Sequence, residues 1–178
     1  MISRYKNIFL DRDGVINEII FRDGIVSSPW KIDEFELTRD IKQFVTHLHQ
    51  NKKNVYVVSN QPDISRGGLV QDELNLMDEM IQEELNIDNI SYCKHDDHHI
   101  CECRKPKPGL ILSLIRDYRL EKKDSVIIGD SWKDILAGKN AGIDTIYLKT
   151  SYNHLQNRQK SYKFLCETTQ IETILSLI

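Results

Sequence analysis

The stretch Asn7-Ile-Phe-Leu-Asp-Arg-Asp-Gly14 sets a short apolar run directly against two acids one residue apart. The run is continuous rather than alternating. That pattern suits a strand buried on both faces, as in a parallel sheet, and not a strand with one wet face. The same layout recurs along the chain: Asn54-Val-Tyr-Val-Val58 stops at Ser59-Asn-Gln61, and Ser125-Val-Ile-Ile128 stops at Gly129-Asp130. Thr145-Ile-Tyr-Leu148 is a further run, and Ile90-Ser-Tyr-Cys93 a weaker one.

Helical patterns lie between these runs. Ile41, Phe44, Val45 and Leu48 recur at helix spacing, with Thr38 as the expected N-cap. Leu74, Met77, Ile81 and Leu85 form a second stripe, and Leu110, Leu114 and Tyr118 with Ile111 and Ile115 a third. Ile135, Leu136, Lys139 and Ala141 belong to a short helix that Gly142 should end as the residue just past the C-cap. Alternating β and α units predict an α/β fold, a doubly wound, Rossmann-like parallel sheet, with residues 1–178 as a single domain. No repeat or linker interrupts it. The polar segment from Ser151 to Thr169, with Cys166, has no assigned role, and Ile171, Ile174 and Leu175 suggest a closing helix.

Composition narrows the function classes. A chain of 178 residues with 40% apolar and 29% charged residues is that of an ordinary globular protein. The net charge of −3, without a dominating basic block, gives no footprint for nucleic acid. The first apolar run is too short for a secretory h-region and no window approaches a membrane span, so a cytoplasmic monomer is expected. Four cysteines, three of them clustered, point to a thiolate metal site rather than a disulfide framework.

In open α/β sheets the carboxyl ends of the strands form the ligand crevice. That rule gathers Asp11, Asp13, Ser59 and Asp130 into one place. A lone aspartate after a strand is usually a cap or turn residue; four such groups on one edge of a sheet are harder to dismiss. One carboxylate there can serve as nucleophile and a second can shuttle protons. Together with Asp130 they would repel one another unless a hard cation, most simply Mg²⁺, neutralised them. Ser59 offers a hydroxyl and Asn60 and Gln61 offer amides to phosphate oxygens, while Arg104 and Lys105 add positive charge.

In order along the chain, DRDGVIN at 11–17, SNQ at 59–61, the lysine of CRKPKPG at 103–109 and GDSWKD at 129–134 resemble the four motifs of the haloacid dehalogenase-like phosphatases. The resemblance spans residues 7–148 and implies a phosphoric monoester hydrolase. It implies that Asp11 attacks phosphorus to form an aspartyl-phosphate and that Asp13 is the proton donor and then activates the hydrolytic water. Ser59 and Lys105 would hold the phosphoryl oxygens, and Mg²⁺ would sit on Asp11, the backbone carbonyl of Asp13 and Asp130, with Asp134 supporting. Lys107 competes with Lys105 for the lysine role, its alternative being a solvated loop residue. The intervals between motifs leave no room for a large cap domain.

Cys93-x-His95 followed by Cys101-x-Cys103 presents a closed Cys₃His set for tetrahedral, structural Zn²⁺, with His98 or His99 as substitutes for His95. The same C-x-H…C-x-C-R-K-P run resembles a capless branch of the superfamily that includes heptose-bisphosphate and histidinol-phosphate phosphatases. Ser59-Asn-Gln-Pro-Asp-Ile-Ser-Arg66-Gly-Gly resembles the heptose enzymes' TNQ-x-x-I-x-R-G segment, which makes Arg66 a candidate for a second phosphate, alongside Asn60, Gln61 and Arg104 as substrate contacts. The short zinc loop is closer to the histidinol-phosphate enzymes. Arg22, Asp23 and Trp30, in a long loop after the first motif, are further candidates. The expected partner is therefore a small phosphorylated metabolite, with a sugar bisphosphate favoured. A non-catalytic zinc-stapled binding module is the competing class, disfavoured because both aspartates, Ser59, Lys105 and Asp130 are all present. A phosphotransfer receiver lacks the second acid and the zinc loop.

Overall fold

A computed structural model describes residues 4–150, 152, 166–168 and 174. Among these residues the central sheet has six strands: β1 (Asn7–Leu10), β4 (Asn54–Asn60), β5 (Asn89–Cys93), β6 (Ser125–Gly129), β7 (Asp144–Leu148) and β8 (Cys166–Thr168). Their order is β5-β4-β1-β6-β7-β8, and every pairing is parallel. The chain winds outward from β1 through β4 to β5, then returns to lay β6 on the other side of β1. The winding therefore reverses between β1 and β6, the place where such sheets open a crevice.

The continuous apolar runs become the inner strands, and their residues alternate between two helix layers. Ile8 and Leu10 face a core shared with α1 (Ile41–Gln50) and α3 (Gln71–Leu85). Phe9, Tyr56, Val58 and Ile127 face a second core filled by α4 (Gly109–Asp117) and α5 (Trp132–Ala141). Both faces are covered, so alternation of polarity would have been destabilising. β5 reads as weak because it is an edge strand: Asn89 to Tyr92 are half-buried and only Cys93 is fully covered.

Three local expectations are corrected. Thr38 does not cap α1; its hydroxyl donates to the Val15 carbonyl at 2.7 Å, tying down the loop after β1, and Asp40 occupies the cap position. Tyr118 lies just past α4 and is 44% exposed, so the third stripe ends at Leu114 and Ile115. The long loop after the first motif contains a β-hairpin, β2 (Ile20–Arg22) and β3 (Ile25–Ser27), turned by Asp23 and Gly24 at φ 51° and 76°. Positive φ at both central residues is what a two-residue turn needs to match strand twist.

The end of α5 is as expected, with Gly142 left-handed at φ 78°. A short helix, α2 (Asp63–Arg66), follows β4. Ile174 is helical and buried, whereas Ile171 and Leu175 lie outside the described residues, as does most of the 151–169 segment. Among the described residues no helix is long and apolar enough to cross a membrane.

Candidate active site

Asp11 leaves β1 and Asp130 leaves β6, neighbouring strands on the two sides of the winding reversal. The backbone N–H of Asp11 donates to Ile128 O at 3.0 Å, fixing the loop to β6. A cleft of about 670 Å³ opens here, lined by Asp11, Asp13, Ser59, Asn60, Lys105 and Asp130. The hairpin contributes Val26 and Ser27 to its wall, and the first turn of α5 contributes Trp132 and Lys133.

Lys105 is buried at the cleft floor. Its Nζ lies 2.7 Å from Asp11 Oδ1 and 2.5 Å from Asp134 Oδ1, and donates to Val58 O at 2.8 Å. Asp134 also completes the capping box of α5, its Oδ2 accepting from Ser131 N at 3.0 Å and Ser131 Oγ at 2.6 Å. A single carboxylate thus starts the helix and holds the lysine. Asn60 clamps the backbone of Lys105, donating to its carbonyl and accepting from its N–H, both at 2.9 Å.

Asp13 is held from two sides. Its Oδ1 accepts from Arg12 Nη2 at 2.8 Å and Nε at 3.1 Å and from Asn17 at 3.1 Å, while Oδ2 accepts from Gln61 Nε2 at 2.6 Å. Gln61 also donates to Ser59 Oγ at 3.1 Å. Gln61 is therefore buried among side chains of the site and does not line the cleft. Arg12 is fully buried, its guanidinium set against the rings of Tyr92 and Phe35.

The other sequence-derived candidates point elsewhere. Arg66 pairs with Asp96 and Asp97, and Arg104 donates through Nε to Asp97 Oδ1 at 2.8 Å and through Nη1 to His95 O at 3.1 Å. Neither arginine lines the cleft. Arg22 pairs with Glu34 and lies over Trp30, whose indole N–H donates to Asp63 at 2.9 Å; Asp23 sits in the hairpin turn, so these three brace the hairpin. Lys107 is exposed and bonds Cys101 O and Glu102, so of these two lysines it is Lys105 that lines the cleft.

Three residues of the site escaped the sequence reading. Arg12 had a signal, a cation between two acids at the end of a buried strand. Lys133 had only its place beside Asp134 in the last motif. Tyr152, whose hydroxyl donates to Asp130 Oδ2 at 2.7 Å, had none, since it comes from the polar segment after β7.

Charge is the cleft's main feature. Asp11, Asp130 and Asp134 bring ligand oxygens within 4.8 Å of one another. Burial, then repulsion by Asp134, pushes the Asp11 carboxyl well above its ordinary value, against the pull of Lys105. Burial and Asp134 push Asp130 up to about 7. Burial would raise Asp134 as well, but Lys105 and Ser131 bring it below the usual carboxylate range. Lys105 is itself held charged, Asp11 and Asp134 together outweighing its burial. One ammonium among three buried carboxylates leaves an excess of negative charge that a hard cation fits.

The cysteine loop forms a second centre. Cys93 Sγ lies 3.1 Å from Cys103 Sγ, 3.9 Å from Cys101 Sγ and 3.5 Å from His95 Nδ1. Tetrahedral zinc–thiolate bonds place sulfurs about 3.8 Å apart, so the set has the size and chemistry for that ion. Burial and the two neighbouring thiols push Cys103 up to about 12, which a bound cation would reverse. His99 instead accepts from the Asp96 N–H through Nδ1, at 2.9 Å, and His98 lies 3.5 Å from Asp96.

Comparison with known proteins agrees with this geometry. A family model described as HAD-hydrolase-like matches residues 102–168. A D-glycero-β-D-manno-heptose-1,7-bisphosphate 7-phosphatase of Helicobacter pylori is 35% identical over 156 residues, 84% of this chain and 86% of that one. A D-glycero-α-D-manno-heptose-1,7-bisphosphate 7-phosphatase of Campylobacter jejuni is 36% identical over 148 residues, covering 80% of this chain and 81% of its own. The crystal structure of D,D-heptose 1,7-bisphosphate phosphatase from B. bronchiseptica, complexed with magnesium and phosphate, superposes with TM-score 0.85 at 26% identity, covering 97% and 99% of the two chains. A parallel sheet that gathers acids and a buried lysine at its winding reversal, with relatives this similar over most of their length, makes the chain a phosphatase of the haloacid dehalogenase-like hydrolase family, in the group of the heptose-bisphosphate phosphatases.

Proposed function

We propose that this phosphatase removes the 7-phosphate of D-glycero-D-manno-heptose 1,7-bisphosphate through an aspartyl-phosphate on Asp11. The observation that carries the reading is the convergence of Asp11, Asp13, Ser59, Lys105 and Asp130 on one cleft. The substrate rests on the relatives' names.

Asp11, bonded to Lys105, presents a carboxylate oxygen to phosphorus; as the new bond forms, the bond to the sugar oxygen breaks. Asp13 gives that oxygen a proton. In the second half, Asp13 takes a proton from water, whose oxygen attacks phosphorus and frees Asp11 and inorganic phosphate. Gln61 and Arg12 hold the Asp13 carboxyl in one orientation for both transfers. Ser59 and Lys105 carry donors for the phosphoryl oxygens, where negative charge spreads in the transition state. Asp11, Asp130 and the Asp13 carbonyl would hold Mg²⁺, with Asp134 behind them; the ion supplies charge neutralisation of the carboxylates and the phosphoryl group.

Cys93, His95, Cys101 and Cys103 would hold structural Zn²⁺, bracing the loop that leads into Lys105. The same reading takes residues 1–178 as one cytoplasmic domain acting as a monomer on a small phosphorylated metabolite.

The test is phosphate release from the heptose bisphosphate and from histidinol phosphate, by wild type and Asp11→Asn. Wild type should prefer the bisphosphate in kcat/KM, and the variant should lose turnover on both while keeping its fold and zinc. Retained turnover by the variant would overturn the covalent route. Preference for histidinol phosphate would overturn the substrate.

A further inference from the structure

We infer that Tyr92 and Asp78 are positioning residues for Asp13, acting through the buried guanidinium of Arg12. The inference rests on the reading above in taking Asp13 as the acid that protonates the departing oxygen. It holds whichever alkyl phosphate is the substrate.

Arg12 reaches Asp13 Oδ1 through Nε and Nη2, and its side chain is fully buried. A guanidinium has five N–H donors and no acceptor, so a buried one calls for partners on more than one side. Its Nη1 faces Met77 Sδ of α3 at 4.0 Å, a weak acceptor. The Phe35 ring centroid lies 6.0 Å from Cζ and that of Tyr92 5.7 Å. Of the two rings only Tyr92 carries a polar atom, and after Asp13 it is the next strongest attraction on the guanidinium charge.

The fold places Tyr92 for this contact. It pairs in register with Ser59 near the carboxyl end of β5 and packs against the core that α3 shares. Its hydroxyl donates to Asp78 Oδ1 on α3, one residue after Met77. Burial, helped by Asp78, keeps the phenol protonated against the pull of Arg12. A hydroxyl that donates to a carboxylate becomes a better acceptor, so Tyr92 passes the Asp78 charge toward the guanidinium. The other charge facing Asp78 is Lys94, whose ammonium donates to Gln71 Oε1 at 2.7 Å. Neither Tyr92 nor Asp78 lines the cleft. Their route to the chemistry is the chain Asp78–Tyr92–Arg12–Asp13, which fixes the acid from behind.

The test uses two kinds of substrate. One is whichever of the heptose bisphosphate and histidinol phosphate wild type turns over faster, since both expel an alkoxide that needs a proton. The other is 4-nitrophenyl phosphate, whose phenolate leaves without one. The kcat/KM value covers the steps through departure of the leaving group, so the hydrolytic half does not enter it.

Tyr92→Phe should lose about tenfold in kcat/KM on the alkyl phosphate and less than about threefold on the aryl phosphate. Asp78→Ala should show the same split, and Asp78→Asn, which keeps an acceptor for the hydroxyl, should recover most of the loss. Adding Tyr92→Phe to Arg12→Met should change neither substrate further. An equal loss on both substrates, or none on the alkyl phosphate, overturns the inference and leaves the pair a purely structural contact. So does a full effect of Tyr92→Phe in the Arg12→Met background. If Tyr92→Phe does not fold, the two Asp78 variants decide by the same split. Asp13→Asn tests the underlying reading separately: if it too loses equally on both substrates, Asp13 is not the acid and both proposals fall.

Discussion

Asp134 Oδ1 lies 2.5 Å from Lys105 Nζ, and neither side chain is more than 2% exposed. The contact joins two segments distant in sequence, the loop before α4 and the first turn of α5. It also ties the site to fold stability, because the same carboxylate caps the helix. Removing one partner of an isolated buried pair costs about 3–5 kcal/mol, an upper bound here because Lys105 also pairs with Asp11. Asp134→Ala and Lys105→Met should each destabilise on that scale, and the double variant should lose less than the sum by at least about 1 kcal/mol. Urea denaturation of the four proteins measures the coupling. Strict additivity would mean that the two charges do not depend on each other.

Arg12 offers a sharper case. Its side chain is wholly buried, and its fixed charge is matched by Asp13 alone among the ion pairs of the described residues. Arg12→Met keeps much of the volume but strands the Asp13 carboxylate between Asn17 and Gln61. Turnover should fall by about tenfold to a hundredfold, from loss of orientation at Asp13, the proposed proton-transferring group. Arg12→Lys should recover stability better than activity, since one ammonium cannot reproduce the two bonds to Oδ1. Parallel melting curves and aryl phosphate turnover separate the two effects.

The contrast between Lys105 and Arg104 shows what the sequence could and could not disclose. Strand ends were legible because a strand buried on both faces needs an unbroken apolar run, and the acid after it marks where the run opens to the crevice. Asp11, Ser59 and Asp130 followed from that rule, and Lys105 from its motif. Arg66 and Arg104 looked equally suited to phosphate, yet both are engaged by Asp96 and Asp97 of the cysteine loop. Pairing across loops leaves no periodic trace. The hairpin at 20–27 was missed for a related reason: Phe21, Ile25 and Val26 are exposed, so no buried face imposed a pattern. Thr38 was misplaced because a hydroxyl near a helix start can serve a neighbouring carbonyl as well as the helix.

Asp130 sets a pH dependence whose sign is fixed. Its folded-state pKa of about 7 lies above its ordinary 3.8, so the metal-free folded protein binds more protons than the unfolded chain between these values. Stability of that form should therefore fall as pH rises through the window. Asp11, raised by burial and Asp134, acts in the same direction. A cation binds the deprotonated acids, so the rise in Tm on adding Mg²⁺ should grow with pH over the same range. Tyr152→Phe removes the hydroxyl that favours the charged form of Asp130, so it should weaken the Mg²⁺ response most at the acidic end. Melting of desalted protein with and without Mg²⁺ checks this. A Mg²⁺ shift that did not vary with pH would mean that these acids do not titrate on binding.

The cysteine loop should separate stability from chemistry. Cys93 is buried at the end of β5, while Cys101 and Cys103 lie just before Arg104 and Lys105. Gln61 N donates to Cys93 O at 2.7 Å, so the loop also touches the segment after β4. Cys101→Ser removes one of the four proposed zinc ligands and should lower zinc content, Tm and soluble yield together. Lys105 would keep its bonds to Asp11, Asp134 and Val58 in molecules that still fold, because these arise from strands and α5 rather than from the sulfur cluster. Activity per folded molecule should thus fall less than in Asp11→Asn, by about tenfold at most if the loop only positions Lys105. Zinc analysis, melting and active-site-normalised turnover on one preparation decide it. If zinc removal stopped turnover while Tm stayed constant, the metal would belong to the chemistry and not to the scaffold.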